Sequence, residues 1–181
     1  QAQNKGARTL QDLQDKIQDD SVFRKIPRSH VMILAKNRAG IKRLYELVSK
    51  SYTDTLAIMG KSGKEGGEIT AEPRILRRDI EQDRHHILVG TSCLNNEVFE
   101  LACNGDDERL LQAVMFYDYV ELQPLANFTT FVAQGKVPSM DRVKDAQRRL
   151  IQAAATANIP VVADSDAHYC SPDQKIFRDV Y

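Results

Sequence analysis

The stretch Val161–Cys170, VVADSDAHYC, sets Asp164, Asp166 and His168 two residues apart at the end of an apolar run. In an extended chain side chains alternate between faces, so these three point one way and Ser165, Ala167 and Tyr169 the other. Two carboxylates and an imidazole on one face can bind a metal, do acid–base chemistry or open a polar loop. Other candidates stand near apolar runs. His30 opens one run, and His85 and His86 lead into another that Cys93 follows in Thr91-Ser92-Cys93. Taken singly, a histidine at a strand end is most often a surface or core group, and a lone cysteine an inert thiol. Lys61-Ser62 after Gly60 imitates a phosphate loop. However, Thr55 stands where that pattern needs a glycine, and the preceding residues read as loop, so no strand is expected to lead in.

The elements that must position these groups follow from periodicity. Residues 9–19 read as a short helix with Leu10, Leu13 and Ile17 on one face and Thr9 with Asp12 at its start. A polar hinge with Pro27 precedes His30–Ala35, a buried strand by its apolar content, and residues 40–51 have helical spacing. Residues 52–73, with four glycines among charges, read as a flexible surface loop. Ile75–Gln82 is weakly helical and His86–Gly90 is a second buried strand. A helix around Val98–Ala102 should stop at Asn104-Gly105, and another covers 107–115 behind Asp106. Tyr119–Gln123 is a third strand, Phe128–Gln134 a short helix, Ser139 to about Ala157 the longest helix, and Ile159–Ala163 the fourth strand. Ser171-Pro172-Asp173-Gln174 carries a helix-start pattern.

Short apolar strands alternating with amphipathic helices predict an α/β fold with mostly parallel strands. Four strand–helix units are too few to close an eight-stranded barrel, so the sheet is open or the rest of a barrel lies elsewhere. In such folds functional groups gather at the carboxyl ends of strands. Cys93 and the Asp166/His168 pair both satisfy that rule; His30, at the start of its run, does not. Thiolate, imidazole and carboxylate are zinc ligands, and imidazole with carboxylate also suits manganese or iron. A metal site and a plain polar rim both remain open on these grounds.

Bulk properties narrow the function classes. The chain has 181 residues, 42% hydrophobic and 28% charged, with 25 basic residues against 25 acidic ones. A formal net charge of zero argues against a chain built around phosphate-backbone contacts. No apolar run approaches the ~20 residues of a membrane span, and no signal-peptide pattern is present. Cysteines at 93, 103 and 170 do not form a disulfide framework, which favours a reducing cytoplasm. A start at Gln1 without methionine suggests a fragment or a processed piece.

Four blocks, SHVMILAKNRAGIKRLYELVS, ILVGTSCLNNEVFELA, YDYVELQP and IPVVADSDAHYCSPDQKIFRDV, together carry a family resemblance. In order and spacing, over residues 9 to 181, they resemble the PHP (polymerase and histidinol phosphatase) domain of bacterial replicative DNA polymerase III α subunits, in the PolC form. There an exonuclease domain interrupts the PHP domain. The resemblance implies a partial distorted (β/α)7 barrel, with residues 1–28 returning from the insertion and 29–181 forming the C-terminal part of the split domain. It places metal ligands at His30, Cys93, Asp166 and His168, and Asp164 beside them as a supporting or loop-opening residue. Many PolC-type members carry asparagine where Asp166 stands. The implied cofactors are divalent metal in the cleft, zinc or manganese/iron, and magnesium in the polymerase site of the parent protein. The implied partners are the remaining exonuclease and polymerase modules, and DNA through them, with no membrane. The family's opening H-x-H motif and bridging glutamate are absent, as are polymerase and proofreading motifs. The expectation is therefore a scaffold with half of a multi-metal site, inactive alone, within a cytoplasmic nucleotidyltransferase. The alternative is a PHP phosphoesterase of the histidinol-phosphatase kind.

Overall fold

A computed structural model describes residues 26–59 and 70–180. The helix expected over 9–19 and the glycine-rich residues 60–69 lie outside the described residues. The chain forms two compact units, Gln1–Arg28 with Ile33–Leu88, and Ser29–Met32 with Val89–Tyr181.

In chain order come strand β1 (Met32–Ala35), helix α1 (Arg38–Thr53), strands β2 (Leu56–Met59) and β3 (Thr70–Pro73), helix α2 (Arg77–Glu81) and strand β4 (Ile87–Gly90); α1, β2, β3 and α2 belong to the first unit, and the unit boundaries fall within β1 and β4. Asn37 starts α1 by accepting the Gly40 amide at 3.0 Å, which satisfies one of the helix's free N–H groups. Strand β1 pairs with β4. Buried Asp79 on α2 accepts Lys50 Nζ at 2.7 Å, and its carbonyl accepts Arg43 Nη2 at 2.6 Å. A buried carboxylate needs such partners because its desolvation is otherwise uncompensated.

Two expectations are corrected in this unit. Residues 52–73 are not simply a loop: β2 and β3 pair antiparallel, from Leu56 opposite Pro73 to Met59 opposite Thr70. Each strand has only four residues, too few to show periodicity beside a glycine-rich, charged connection. Thr55 closes the base by donating its hydroxyl to the Arg74 carbonyl. Glu72 on β3 pairs with Arg74 at 2.9 Å and with Arg28. Hydrogen bonding from Arg74, then Arg28, holds its carboxyl below the ordinary glutamate range. Secondly, β1 is not buried: Met32 and Leu34 are exposed.

The second unit continues with α3 (Glu97–Asn104), α4 (Asp107–Val114), β5 (Val120–Leu122), α5 (Thr129–Ala133), α6 (Met140–Thr156), β6 (Val161–Ala163) and α7 (Lys175–Arg178). The caps expected at Asp106 and Ser139 are present, and Asn96, which the sequence reading did not assign, caps α3 as well. Asn96, Asp106 and Ser139 accept the amides of Phe99, Arg109 and Arg142 at 2.8, 3.1 and 3.2 Å, and Gly105 ends α3 at φ +81°. On α6, Val143, Ala146, Leu150, Ala153 and Ala154 form the buried stripe, and the helix packs on α3, α4 and β5. Full burial of each valine or leucine contributes about 1.5–3 kcal/mol, whereas exposed pairs such as Lys144–Asp141 contribute about 1 kcal/mol or less.

β5 and β6 pair in parallel with Val120 opposite Val161, and Gly90 bridges Tyr119 in the same sense. The structure is thus mixed helix and strand with parallel pairing, and no closed barrel forms among the described residues. Strand β6 is present where the fourth strand was expected, and all three of its residues are exposed. Near the end, Ser171 does not cap. Its hydroxyl donates to Asp173 instead, while Gln174 Oε1 accepts the Cys170 amide at 2.9 Å.

Gly40 generates a direct test. A Cβ there would run into the backbone carbonyl of His86, which already accepts the Lys36 amide at 2.9 Å. Alanine is the better helix former by about 1 kcal/mol, but overpacking against backbone costs about 1–3 kcal/mol. Gly40→Ala is expected to lower the urea midpoint while the exposed control Ser49→Ala does not. Equal midpoints would refute the steric account.

Candidate metal centre

The loop after β4 is held from several sides. The buried Thr91 hydroxyl accepts the Glu121 amide at 2.9 Å, and Ser92 adopts a left-handed conformation at φ +61°. Asn96 serves twice: its Oδ1 caps α3, and its Nδ2 donates to the Cys93 carbonyl. Residues 29–30 are tied to the same loop. Ser29 Oγ accepts the Glu97 amide at 2.6 Å, and the His30 amide donates to Asn95 O at 2.8 Å. These bonds bring His30 Nδ1 to 3.0 Å from Cys93 Sγ. His30 precedes its strand, as the sequence indicates, yet it meets the cysteine that follows β4.

The second pair lies beyond β6. The Asp164 amide donates to Leu122 O at 3.0 Å, extending the parallel ladder by one bond. The Ser165 carbonyl accepts Asn127 Nδ2 at 3.1 Å. The chain then turns, with Asp166 at φ +52°, a conformation that aspartate enters more readily than most residues. The simple alternation expected over 164–168 therefore does not hold, because strand geometry ends at Ala163. The turn nevertheless leaves His168 Nε2 3.7 Å from Asp166 Oδ1, both groups open to solvent. His85 and His86 stack on each other at 3.9 Å, and His86 Nδ1 lies 3.3 Å from Asn37 Nδ2. They take no part in this loop region.

Two residues carry chemistry that the motif reading did not assign. Tyr119 and Glu121 share one face of β5 and hydrogen-bond through their side chains. Burial, then the Glu121 charge and hydrogen bond, pushes the Tyr119 hydroxyl up to about 12. Burial likewise raises the Glu121 carboxyl; the Tyr119 bond opposes this, and the negative charges of Asp164 and Asp166 add to it. The signal was available: alternation along the extended chain of β5 puts residues 119 and 121 on one face. Cys93 and Glu121 also line one pocket, together with Thr91, Ser92 and Gln123.

The donor chemistry fits a divalent ion in halves. Ligand atoms 2.0–2.3 Å from a tetrahedral zinc stand about 3.5 Å apart, close to the separations within His30/Cys93 and Asp166/His168. Each pair supplies two donors. Among the described residues no three His, Cys, Asp or Glu side chains converge to hold an ion.

No family model matches the chain. It is similar to a stretch of proteins named PolC-type DNA polymerase III. The *Lactococcus lactis* relative is 30% identical over 98% of this chain, that of *Clostridium perfringens* 29% over 93%, and that of *Halalkalibacterium halodurans* 30% over 93%. The chain spans only about a tenth of these relatives, 10–11% of their length.

The raised Glu121 carboxyl sets a pH signature. Its protonated form is favoured in the fold, so its ionisation costs stability as pH rises from the unfolded-state value through the higher folded one. Glu121→Gln keeps an acceptor for Tyr119 and removes the charge. At about pH 7 the variant should melt above the parent, and the gap should close near pH 4. A gap independent of pH, measured by thermal unfolding, would contradict this.

Proposed function

We propose that the chain is the second part of a split PHP-type domain within a PolC-type DNA polymerase III, serving as a scaffold that carries half of a multi-metal site. The observation that carries this reading is the pairing of His30 with Cys93 and of Asp166 with His168, in a chain similar to PolC-type proteins along 93–99% of its length. The short parallel β5–β6 ladder with an exposed β6 is what a partial barrel would present once separated from its other strands. Half-sites with two donors each suit a cleft whose remaining ligands come from another stretch of the parent protein.

In this reading His30 and Cys93 hold one ion and Asp166 and His168 another, zinc or manganese/iron. Bound metal would tie loop ends together and offset the charge of Glu121, Asp164 and Asp166. The parent protein carries out DNA-directed DNA synthesis in the bacterial cytoplasm, with magnesium at a polymerase site outside this chain. Its other modules are the partners of this segment. No helix among the described residues is long and apolar enough to cross a membrane. The phosphoesterase alternative needs the H-x-H motif, which the sequence lacks.

Metal analysis tests the proposal. The purified chain is expected to retain zinc or manganese weakly, with clear losses in His168→Ala and Cys93→Ser. Metal at 100 times its dissociation constant should stabilise the parent chain by about 2.7 kcal/mol and the variants by less. Equal metal content and equal stabilisation in all three proteins would overturn the assignment. Turnover of a phosphomonoester or a DNA 3′ end by the chain alone, above a matched blank, would overturn its role as an inactive scaffold.

A further inference from the structure

The loop that carries Asp166 and His168 is closed at both ends by side-chain carboxamides. Strand geometry stops at Ala163, and the Asp164 amide extends the ladder to β5 by one bond. Beyond it, Asn127 Nδ2 donates to the Ser165 carbonyl at 3.1 Å, and Gln174 Oε1 accepts the Cys170 amide at 2.9 Å. The partners fix which way each carboxamide points, because a carbonyl only accepts and a backbone N–H only donates. Asp166 and His168 both lie between these two bonds.

Each closing residue is itself held. Asn127 belongs to a short 3₁₀ turn, Leu125–Phe128, where its amide donates to Pro124 O at 3.0 Å. Phe128 is buried there against Phe99, with ring centroids 5.0 Å apart. The end of β5 beside it is fixed from α6, since Gln147 Nε2 donates to the carbonyl of buried Gln123 at 2.7 Å. Asn127 Nδ2 also lies 3.4 Å from Gln123 Oε1. Gln174 closes a second 3₁₀ turn, Pro172–Gln174, with its amide on Ser171 O at 3.0 Å. In a capping box this glutamine would reach back to the amide of Ser171. It takes the amide one residue earlier instead, on the loop that follows His168.

A loop free at either end samples many separations between its two donors, and ordering it weakens the binding of an ion. Held at both ends, with Asp166 at φ +52°, this loop keeps His168 Nε2 3.7 Å from Asp166 Oδ1.

We propose that Asn127 and Gln174 are positioning residues that preform the Asp166–His168 pair before any ion binds; the consequence for metal rests on the half-site reading. The test is 15N relaxation of the 181-residue chain without metal, followed by zinc titration observed at the His168 ring. Amides of residues 166–168 are expected at order parameters of about 0.85, falling toward about 0.6 in Asn127→Ala and in Gln174→Ala, while those of α6 stay unchanged. Gln174→Glu keeps the acceptor and should keep the order. Asn127→Asp keeps the shape but has no donor, and should lose it. Each alanine variant should bind zinc about 5-fold more weakly, the worth of one hydrogen bond. Equal order parameters in the parent and the alanine variants overturn the proposal, and so does lost order with unchanged zinc affinity. A His168 signal that zinc does not move in the parent removes the half-site reading instead, and the order parameters then decide the positioning role by themselves.

Discussion

The second unit depends on how closely β4 and β5 approach at Gly90 and Tyr119. A side chain at 90 would enter the Tyr119 ring, so glycine lets that ring lie over the strand where the two chains bridge. On either side the contact is sealed by hydrogen bonds. Val89 donates its amide to Asp118 Oδ2 at 2.7 Å and accepts the Asp118 amide at 2.8 Å, while the Thr91 hydroxyl accepts the Glu121 amide. Val89 and Val120 are fully buried beside it, where an unmade backbone bond would cost about 1–3 kcal/mol. The result is that two strands end side by side, and Cys93 and Glu121 come to line one pocket.

That arrangement crowds negative charge. Burial and the charges of Asp164 and Asp166 raise the cost of ionising Glu121, and burial with the charges of Glu121, Asp164 and Asp118 drives Tyr119 further from ionisation. Neutral protonation relieves such crowding at low pH and a bound cation relieves it at neutral pH. The left-handed backbone at Ser92 and Asp166 flanks the same loops, so the local backbone is unusual where the chemistry is concentrated. Both proposed half-sites therefore sit on loops held by side-chain-to-backbone bonds, from Asn96, Ser29 and Asn127, rather than on regular strands.

The exposed apolar residues divide into groups of different origin. Val161 and Val162 lie on a strand that pairs with β5 and, among the described residues, with no second strand, and Ile176, Phe177 and Val180 lie around the last short helix.

Local signals were legible in the residues. Caps at Asp106 and Ser139 and the stop at Gly105 follow from short-range spacing and are present, and on α6 Val143, Leu150 and Ala154 face inward as the spacing indicates, whereas Ile151, also read as inward, is exposed. So were the α/β alternation and the apolar runs of β4 and β5. Burial was less legible: an apolar run predicts a strand, but exposure of β1 and β6 depends on which neighbours are there to cover them. The β2–β3 hairpin escaped notice because four-residue strands carry too little pattern. Tyr119 and Glu121 were visible as residues but not as a pair. By itself the sequence determined which side chains could ligate a metal and which elements would carry them, since residue type and helical or strand spacing are local properties. Only the tertiary structure decided that His30 meets Cys93 across 63 positions, that Asp166 turns back toward His168, and that the two pairs stay separate. Those outcomes rest on long-range hydrogen bonds and a glycine-permitted strand contact, which no local pattern encodes.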